Sequence, residues 1–429
     1  MIALLPYLVV MFILLFSSLW VGAALGIPGF VACIPKIGFE NTLLSFSAVG
    51  WKISTMYTLM AVPMFIFMGE IMYHGGFIDL IYTRSSKVVS GLPGDLLHSN
   101  ILACTIFASC SGSSLASAAT IGSVGYPIQK ERGYNKGLSL GSICAGGTLG
   151  ILIPPSIPMI IYATIVEESI GKLFLAGVVP GVILAVMFSL YIFLAVIRRP
   201  SNAPAKLKGA TFLDRLGALA GLWQVGVLVV VVLGGIYAGV ATPTEVAALG
   251  STMACIFVAF GRRFTWKALK NSLKATVAIC SMILFVVVGA FMLSQALFYY
   301  NVAPELARFV DRLGLTPTEI LLAVTVLYLI MGMFFDAIPM KLLTLPFVYP
   351  ILVAAGFDLV WFGIYLVVLI EIGLLTPPVG LNLYILGGVT KEPLGLIIKG
   401  AAPFLIPMFV MLIMLVFFPQ LAMWLPSLM

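Results

Sequence analysis

The chain has 429 residues, of which 62% are hydrophobic and only 9% charged, with a mean hydropathy of +1.16. A soluble domain carries roughly 25% charged residues, so this surface cannot face water, and a soluble enzyme or binding module is excluded. The formal charge of +7 does not call for a nucleic-acid partner, because basic loops kept on the cytoplasmic side of a lipid bilayer raise the count without forming a binding patch.

Apolar stretches near 20 residues, enough to cross about 30 Å of hydrocarbon, recur from one end of the chain to the other. The first starts at Ile2, shows no small-residue cleavage site and reads as retained. Within residues 1–55, Pro28, Pro35 and Lys36 are compatible with one crossing or two. Arg84 and Lys87 close the next apolar region. Two short apolar pieces, 96–108 and 115–129, then flank Ser109-Cys110-Ser111-Gly112-Ser113-Ser114. After Lys130-Glu131-Arg132 and Lys136, residues 138–165 form a span interrupted at Ile153-Pro154-Pro155-Ser156-Ile157-Pro158, and 173–197 form another. The six cysteines, Cys33, Cys104, Cys110, Cys144, Cys255 and Cys280, lie in apolar surroundings without CxxC or metal-ligand spacing and read as packing residues.

Two basic loops follow and fix the sidedness. Arg198, Arg199, Lys206, Lys208 and Arg215 face a lone Asp214 in the first; Arg262, Arg263, Lys267, Lys270 and Lys274 meet no acid in the second. Two apolar segments, 219–238 and 244–260, lie between them, so both loops are cytoplasmic. Propagated outward, this puts Lys130–Lys136, Arg84 and Lys391-Glu392 inside, and Glu167-Glu168 and the mixed stretch containing Pro304, Glu305, Arg308, Asp311 and Arg312 outside. Residues 275–298 cross between the second basic loop and that stretch. Short pieces at 318–331 and 338–354 flank a Gly332…Asp336…Pro339 break, 358–387 are interrupted at Leu375-Thr376-Pro377-Pro378-Val379-Gly380, and 396–420 leave the cytoplasm.

Short apolar pieces on either side of a polar or Gly/Pro break read as re-entrant hairpins. The run Gly150-Ile151-Leu152-Ile153-Pro154-Pro155 matches Gly373-Leu374-Leu375-Thr376-Pro377-Pro378 at an offset of 223, and the same offset carries Ser111 onto Phe334. The expected fold is therefore an all-α integral membrane protein with an inverted repeat, two re-entrant helical hairpins and two broken helices. Residues 1–94 are N-terminal scaffold helices, 95–197 the first transport half, 198–300 scaffold with the basic loops, and 301–429 the second transport half.

Breaks in hydrocarbon cost several kcal/mol per unpaired backbone group and mark the binding site of a secondary transporter. Carbonyl and hydroxyl oxygens suit a hard cation such as Na⁺. The expected ligands are Ser109, Ser111, Gly112, Ser113, Gly146, Thr148, Gly150 and Pro154 in the first half, with Gly332, Asp336, Thr376 and Gly380 in the second. Half-helix N-termini favour a carboxylate or sulfonate, for which Ser114, Pro155, Ser156, Pro378 and Asn382 are the expected contacts. Asp336 is a mid-membrane carboxylate, a costly and usually functional placement. Its alternatives are a water-filled vestibule or a helix cap. Glu371 lies beside the second break, Glu70 reads as a helix-end group, and Gly137 and Gly141 read as helix-packing positions.

The stretch from Ala145 through Gly150-Ile151-Leu152-Ile153-Pro154-Pro155-Ser156 resembles the signature of the large membrane subunit of tripartite ATP-independent periplasmic (TRAP) transporters. So do Phe174-Leu175-Ala176-Gly177-Val178-Val179-Pro180-Gly181, Pro63-Met64-Phe65 through Glu70, and Leu375-Thr376-Pro377-Pro378-Val379-Gly380-Leu381-Asn382. The resemblance implies Na⁺-driven uptake of a small organic anion across the bacterial inner membrane by an elevator-type movement. It also implies a small four-helix membrane subunit, a periplasmic substrate-binding protein as partners, and no organic cofactor. An ATP-driven pump lacks its G-x-x-x-x-G-K-[ST] loop here. An intramembrane serine protease would have to use His74 or His98, and no G-x-S-G turn frames a nucleophile. A binding-protein-independent anion/Na⁺ symporter of related elevator fold, or an anion channel, are the remaining alternatives.

Overall fold

The computed structural model describes residues 5–17, 19–204 and 210–429, except the side chains at 303, 307, 309 and 311. Ile2, Lys206 and Lys208 lie outside them, as does the side chain of Asp311. Among the described residues every regular element is a helix, as the bilayer demands: a helix satisfies its backbone polar groups internally.

The chain opens with α1 (Leu5–Phe16), α2 (Val21–Ile37), α3 (Phe39–Ser54), α4 (Ala61–His74) and α5 (Phe77–Val88). The first hairpin is α6 (Leu96–Ser111) and α7 (Ser114–Glu131), followed by the broken pair α8 (Lys136–Leu152) and α9 (Ile157–Val166), then α10 (Ile170–Arg198). Next come α11 (Phe212–Ala220), α12 (Trp223–Val229), α13 (Gly235–Tyr237), α14 (Pro243–Phe260), α15 (Trp266–Tyr299) and α16 (Val302–Leu313). The second hairpin is α17 (Pro317–Gly332) and α18 (Ala337–Ala354), followed by the broken pair α19 (Leu359–Leu375) and α20 (Leu381–Thr390). Finally α21 (Leu394–Ala401) and α22 (Leu405–Phe417) form one bent apolar rod, and α23 (Gln420–Met423) ends the helices. Six of these helices are long and apolar enough to cross a membrane, or eight if two bent pairs each count as one span.

Short polar signals explain where the helices begin. Thr242-Pro243-Thr244-Glu245 starts α14 as a capping box: Glu245 N–H donates to Thr242 Oγ1 at 3.3 Å while Thr242 N–H donates to the Glu245 carboxylate at 2.7 Å. The same device starts α17 at Thr316 and Glu319. Asn135 and Asp358 cap α8 and α19. The helices stop where proline removes an N–H and disfavours helix in its predecessor, at Pro154-Pro155 and Pro377-Pro378. Both of these peptide bonds are cis.

Helix boundaries recur at the offset read from the sequence. Ser114, Glu131, Lys136 and Leu152 of the first half carry onto Ala337, Ala354, Leu359 and Leu375 of the second. Two segments differ from expectation. The stretch expected as one span over 219–238 is bent by 53° between α11 and the segment beginning at Trp223. The span expected at 275–298 is the outer part of a 34-residue helix whose first three turns carry Lys267, Lys270 and Lys274. Thr265 caps that helix by accepting from Ala268 N–H at 3.1 Å, so most of the second basic loop is helical.

Contacts show how the first two helices pack. Gly22, Gly26 and Gly29 lie directly against Phe285, Gly289 and Leu293, so α2 runs parallel to α15. Lys36 at its end stands over the Tyr300 ring at 4.7 Å, and Tyr7 of α1 is 6.5 Å from the same ring. The chain thus leaves the Tyr300 end and returns to it within two short helices.

Candidate functional site

The two hairpin tips are built differently. In the first, Gly112 has φ +59°, open to glycine, and its Cα faces the Pro155 carbonyl so closely that a Cβ would lie 2.7 Å from the oxygen. Gly150 of α8 presses on the Ser113 carbonyl in the same way. Tip and break are therefore locked together by bare backbone. In the second, Gly332 meets Gly373 backbone to backbone, and Gly380 N–H donates to the Met333 carbonyl at 3.2 Å.

A cavity of about 410 Å³ lies between the tips. Its walls carry Ser111, Gly112, Ser113 and Ser114 from the first tip, Ile151, Ile157 and Pro158 from the first break, and Asp336, Ala337 and Ile338 from the second tip. The opposite wall comes from α4, through Ile66, Gly69, Glu70 and Tyr73, and from α15, through Ile279, Met282 and Ile283. Two carboxylates, Asp336 and Glu70, line it, and among the described residues no lysine or arginine does. Asp336 is half-buried and lines the cavity at the start of α18, where no side-chain N-cap bond is formed. Glu70 is on the wall rather than at a mere helix end; its partner is His74, 3.5 Å away.

Of the expected ligands, Ser111, Gly112, Ser113, Ser114 and Asp336 meet at this cavity. The others do not line it. Ser109 Oγ donates to Ile106 O, Thr148 Oγ1 to Ala145 O, Ser156 Oγ to Ile151 O and Thr376 Oγ1 to Ile372 O, at 2.6–2.7 Å. Each hydroxyl spends its proton on its own chain and keeps lone pairs. Gly146 packs on Cys104 and the Asn100 carbonyl, and Pro154 and Pro155 are buried behind the tip. Pro378 is exposed beside buried Gly380, and Asn382 is fully buried with neither amide atom bonded. The cavity does not extend to these second-break residues.

One residue absent from the expected set is Lys341 of α18. It is fully buried, and its Nζ donates to the Pro158 carbonyl at 3.0 Å with the Tyr162 ring beneath it at 5.8 Å. Glu371 of α19 is equally buried, and neither of its carboxylate oxygens has a hydrogen-bond partner. Among the described residues neither histidine is bonded to a serine: His98 Nε2 is bonded to Pro93 O at 2.9 Å and His74 is paired with Glu70.

The family profile described as "Tripartite ATP-independent periplasmic transporter, DctM component" matches residues 8–421. The chain belongs to this family. It is a permease and not an enzyme, a multi-pass protein of the bacterial inner membrane. The C4-dicarboxylate TRAP transporter large permease protein DctM of Pseudomonas aeruginosa is 37% identical over 88% of this chain and 88% of its own length. The sialic acid TRAP transporter large permease protein SiaM of Vibrio cholerae is 32% identical over 87% of each. Among solved structures, the Alcanivorax borkumensis YdaH transporter superposes with a TM-score of 0.61 over 91% of this chain and 90% of that one, at 14% identity. That likeness is one of fold.

Proposed function

We propose that this TRAP large permease couples inward movement of Na⁺ to uptake of a small organic acid anion, a carboxylate, sialic acid or sulfonate. The anion is received from a periplasmic substrate-binding protein, and the permease is assembled with a small four-helix membrane subunit. The observation that carries this is the charge of the cavity, which presents two carboxylates and no cationic side chain among the described residues. An anion placed there alone would be repelled in a low-dielectric setting, so cations must enter with it. The tip and break oxygens, all hard ligands, suit Na⁺. The relatives named for C4-dicarboxylate and sialic acid support an organic acid as the cargo.

The movement proposed is an elevator. Residues 95–197 and 301–429 would carry the site as one body past residues 1–94 and 198–300, with the cavity at the seam between Ser111–Ser114 and Asp336 on one side and α4 and α15 on the other. The test is uptake into proteoliposomes holding both membrane subunits, with the binding protein outside, over a panel of C4-dicarboxylates, sialic acid and sulfonates. Accumulation of one ligand should require both an inward Na⁺ gradient and the binding protein. Equal uptake with Na⁺ replaced by K⁺ would sink the coupling, and flux that only equilibrates would indicate a channel.

A further inference from the structure

Lys341 and Glu371 occupy the most protected part of the second half, and no expected role uses either. An intramembrane charge is expensive and persists where something balances it. Lys341 projects from the helix that Asp336 begins, five residues on, or about 7.5 Å along the axis. Its ammonium is held by the Pro158 carbonyl, a backbone group of the other half that itself lines the cavity. Glu371 and Asp336 both act on it electrostatically, although Glu371 makes no hydrogen bond to it. Lys341 and Glu371 are thus both fully buried behind a cavity that Asp336 faces, and Glu371 has no hydrogen-bond donor of its own.

We propose that Lys341 is a tethered cation of the transport site, its ammonium filling a position between Pro158 O and Glu371 that would otherwise take one coupling cation. The ammonium offsets Glu371, which leaves the two carboxylates that line the cavity, Asp336 and Glu70, for mobile Na⁺. A lysine fits this task because its ammonium is a compact point charge on a flexible stem, close to an alkali ion in its demand for oxygen ligands. By holding Pro158 O, it also fixes the backbone at the re-entry of α9, tying the second hairpin to the first break. This inference rests on the Na⁺-coupled reading above.

The test uses the complete transporter in proteoliposomes and the same preparations in detergent, with Na⁺ titrated in uptake and in thermal-melting assays. Wild type that takes up substrate without Na⁺ would remove the coupled reading and this inference with it. With wild type Na⁺-dependent, Glu371→Gln leaves the ammonium uncompensated and should weaken apparent Na⁺ affinity at least tenfold. Lys341→Gln leaves Glu371 uncompensated and should steepen the Na⁺ dependence of uptake, as one more cation is drawn in. The pair Lys341→Gln/Glu371→Gln removes both charges together. That pair should melt above either single variant and return the wild-type Na⁺ steepness, a rescue that a purely packing role would not produce. Unchanged Na⁺ affinity in Glu371→Gln, or a pair no more stable than its singles, would overturn the proposal.

Discussion

Asp336 is the one carboxylate that reaches the cavity from the second tip, and that cavity position separates it from an ordinary helix-start aspartate. A central Asp costs roughly 2.5–3.5 kcal/mol on insertion scales, a cost that Asn would relieve. If the charge only filled space, Asp336→Asn would express at least as well and transport normally. If it compensates Na⁺, the amide dipole is a poor substitute, and uptake should fall at least tenfold with the half-saturating Na⁺ concentration raised. Uptake over a Na⁺ titration decides, and wild-type rate and Na⁺ dependence would rule the role out. Asp336 and the Ser111–Ser114 run were legible in the sequence because polar residues inside short apolar pieces stand out. Lys341 was not, because a single lysine near a helix start ordinarily snorkels to the interface. Only the packing of α9 from the other half, bringing Pro158 and Tyr162 over it, shows that it cannot.

Between elements, close helix crossings carry the stability, since lipid tails remove the hydrophobic drive that holds soluble bundles. The packing of α8 on α21 is the plainest case. Gly137 and Gly141 lie against Gly400, with carbonyl oxygens seated where a Cβ would be. Gly400→Val must therefore push the helices apart, and overpacking of this kind costs typically 1–3 kcal/mol. Gly395, on the same helix with open space around it, is the internal control: Gly395→Ala should be neutral or gain up to about 1 kcal/mol of helix propensity. Melting temperatures of the two variants in detergent check this, and equal melting would refute the crossing as a determinant. The sequence shows the glycines but not their partner, because 259 residues separate Gly141 from Gly400 and nothing local pairs them. Capping boxes at Thr242 and Thr316 are the opposite case. Threonine and glutamate three residues apart are a local rule, so these helix starts fall where the residues place them.

For the whole molecule, the interior contacts sort the connecting segments into two ends without reference to charge. At one end Arg263 donates to Gly76 O, Arg215 to Ser90 O at 2.6 Å, Lys130 pairs with Glu392 at 2.8 Å, and Asn135 N–H donates to Asn202 O at 3.0 Å. At the other, Tyr57 OH meets Thr242 Oγ1 at 3.2 Å, Tyr162 OH donates to Leu359 O at 2.7 Å, and Gly171 lies beside Ile236 and Met429. No pair mixes a segment that the basic loops place inside with one they place outside. Basic residues follow the cytoplasmic side and side chains bond only what they can reach, so two independent constraints give one sidedness. Single cysteines should therefore report it in intact cells. The native thiols are buried or half-buried, and Arg132, Lys172, Lys270 and Thr318 are all exposed positions. Lys172→Cys and Thr318→Cys should react with an impermeant maleimide added outside, whereas Arg132→Cys and Lys270→Cys should react only after the membrane is opened. Outside labelling of Lys270→Cys would invert the assignment of every helix from α14 onward. Protection of Thr318→Cys alone would instead move the mouth of the second hairpin to the cytoplasmic face, leaving both hairpins on one side and the opposed entry of the two halves untenable.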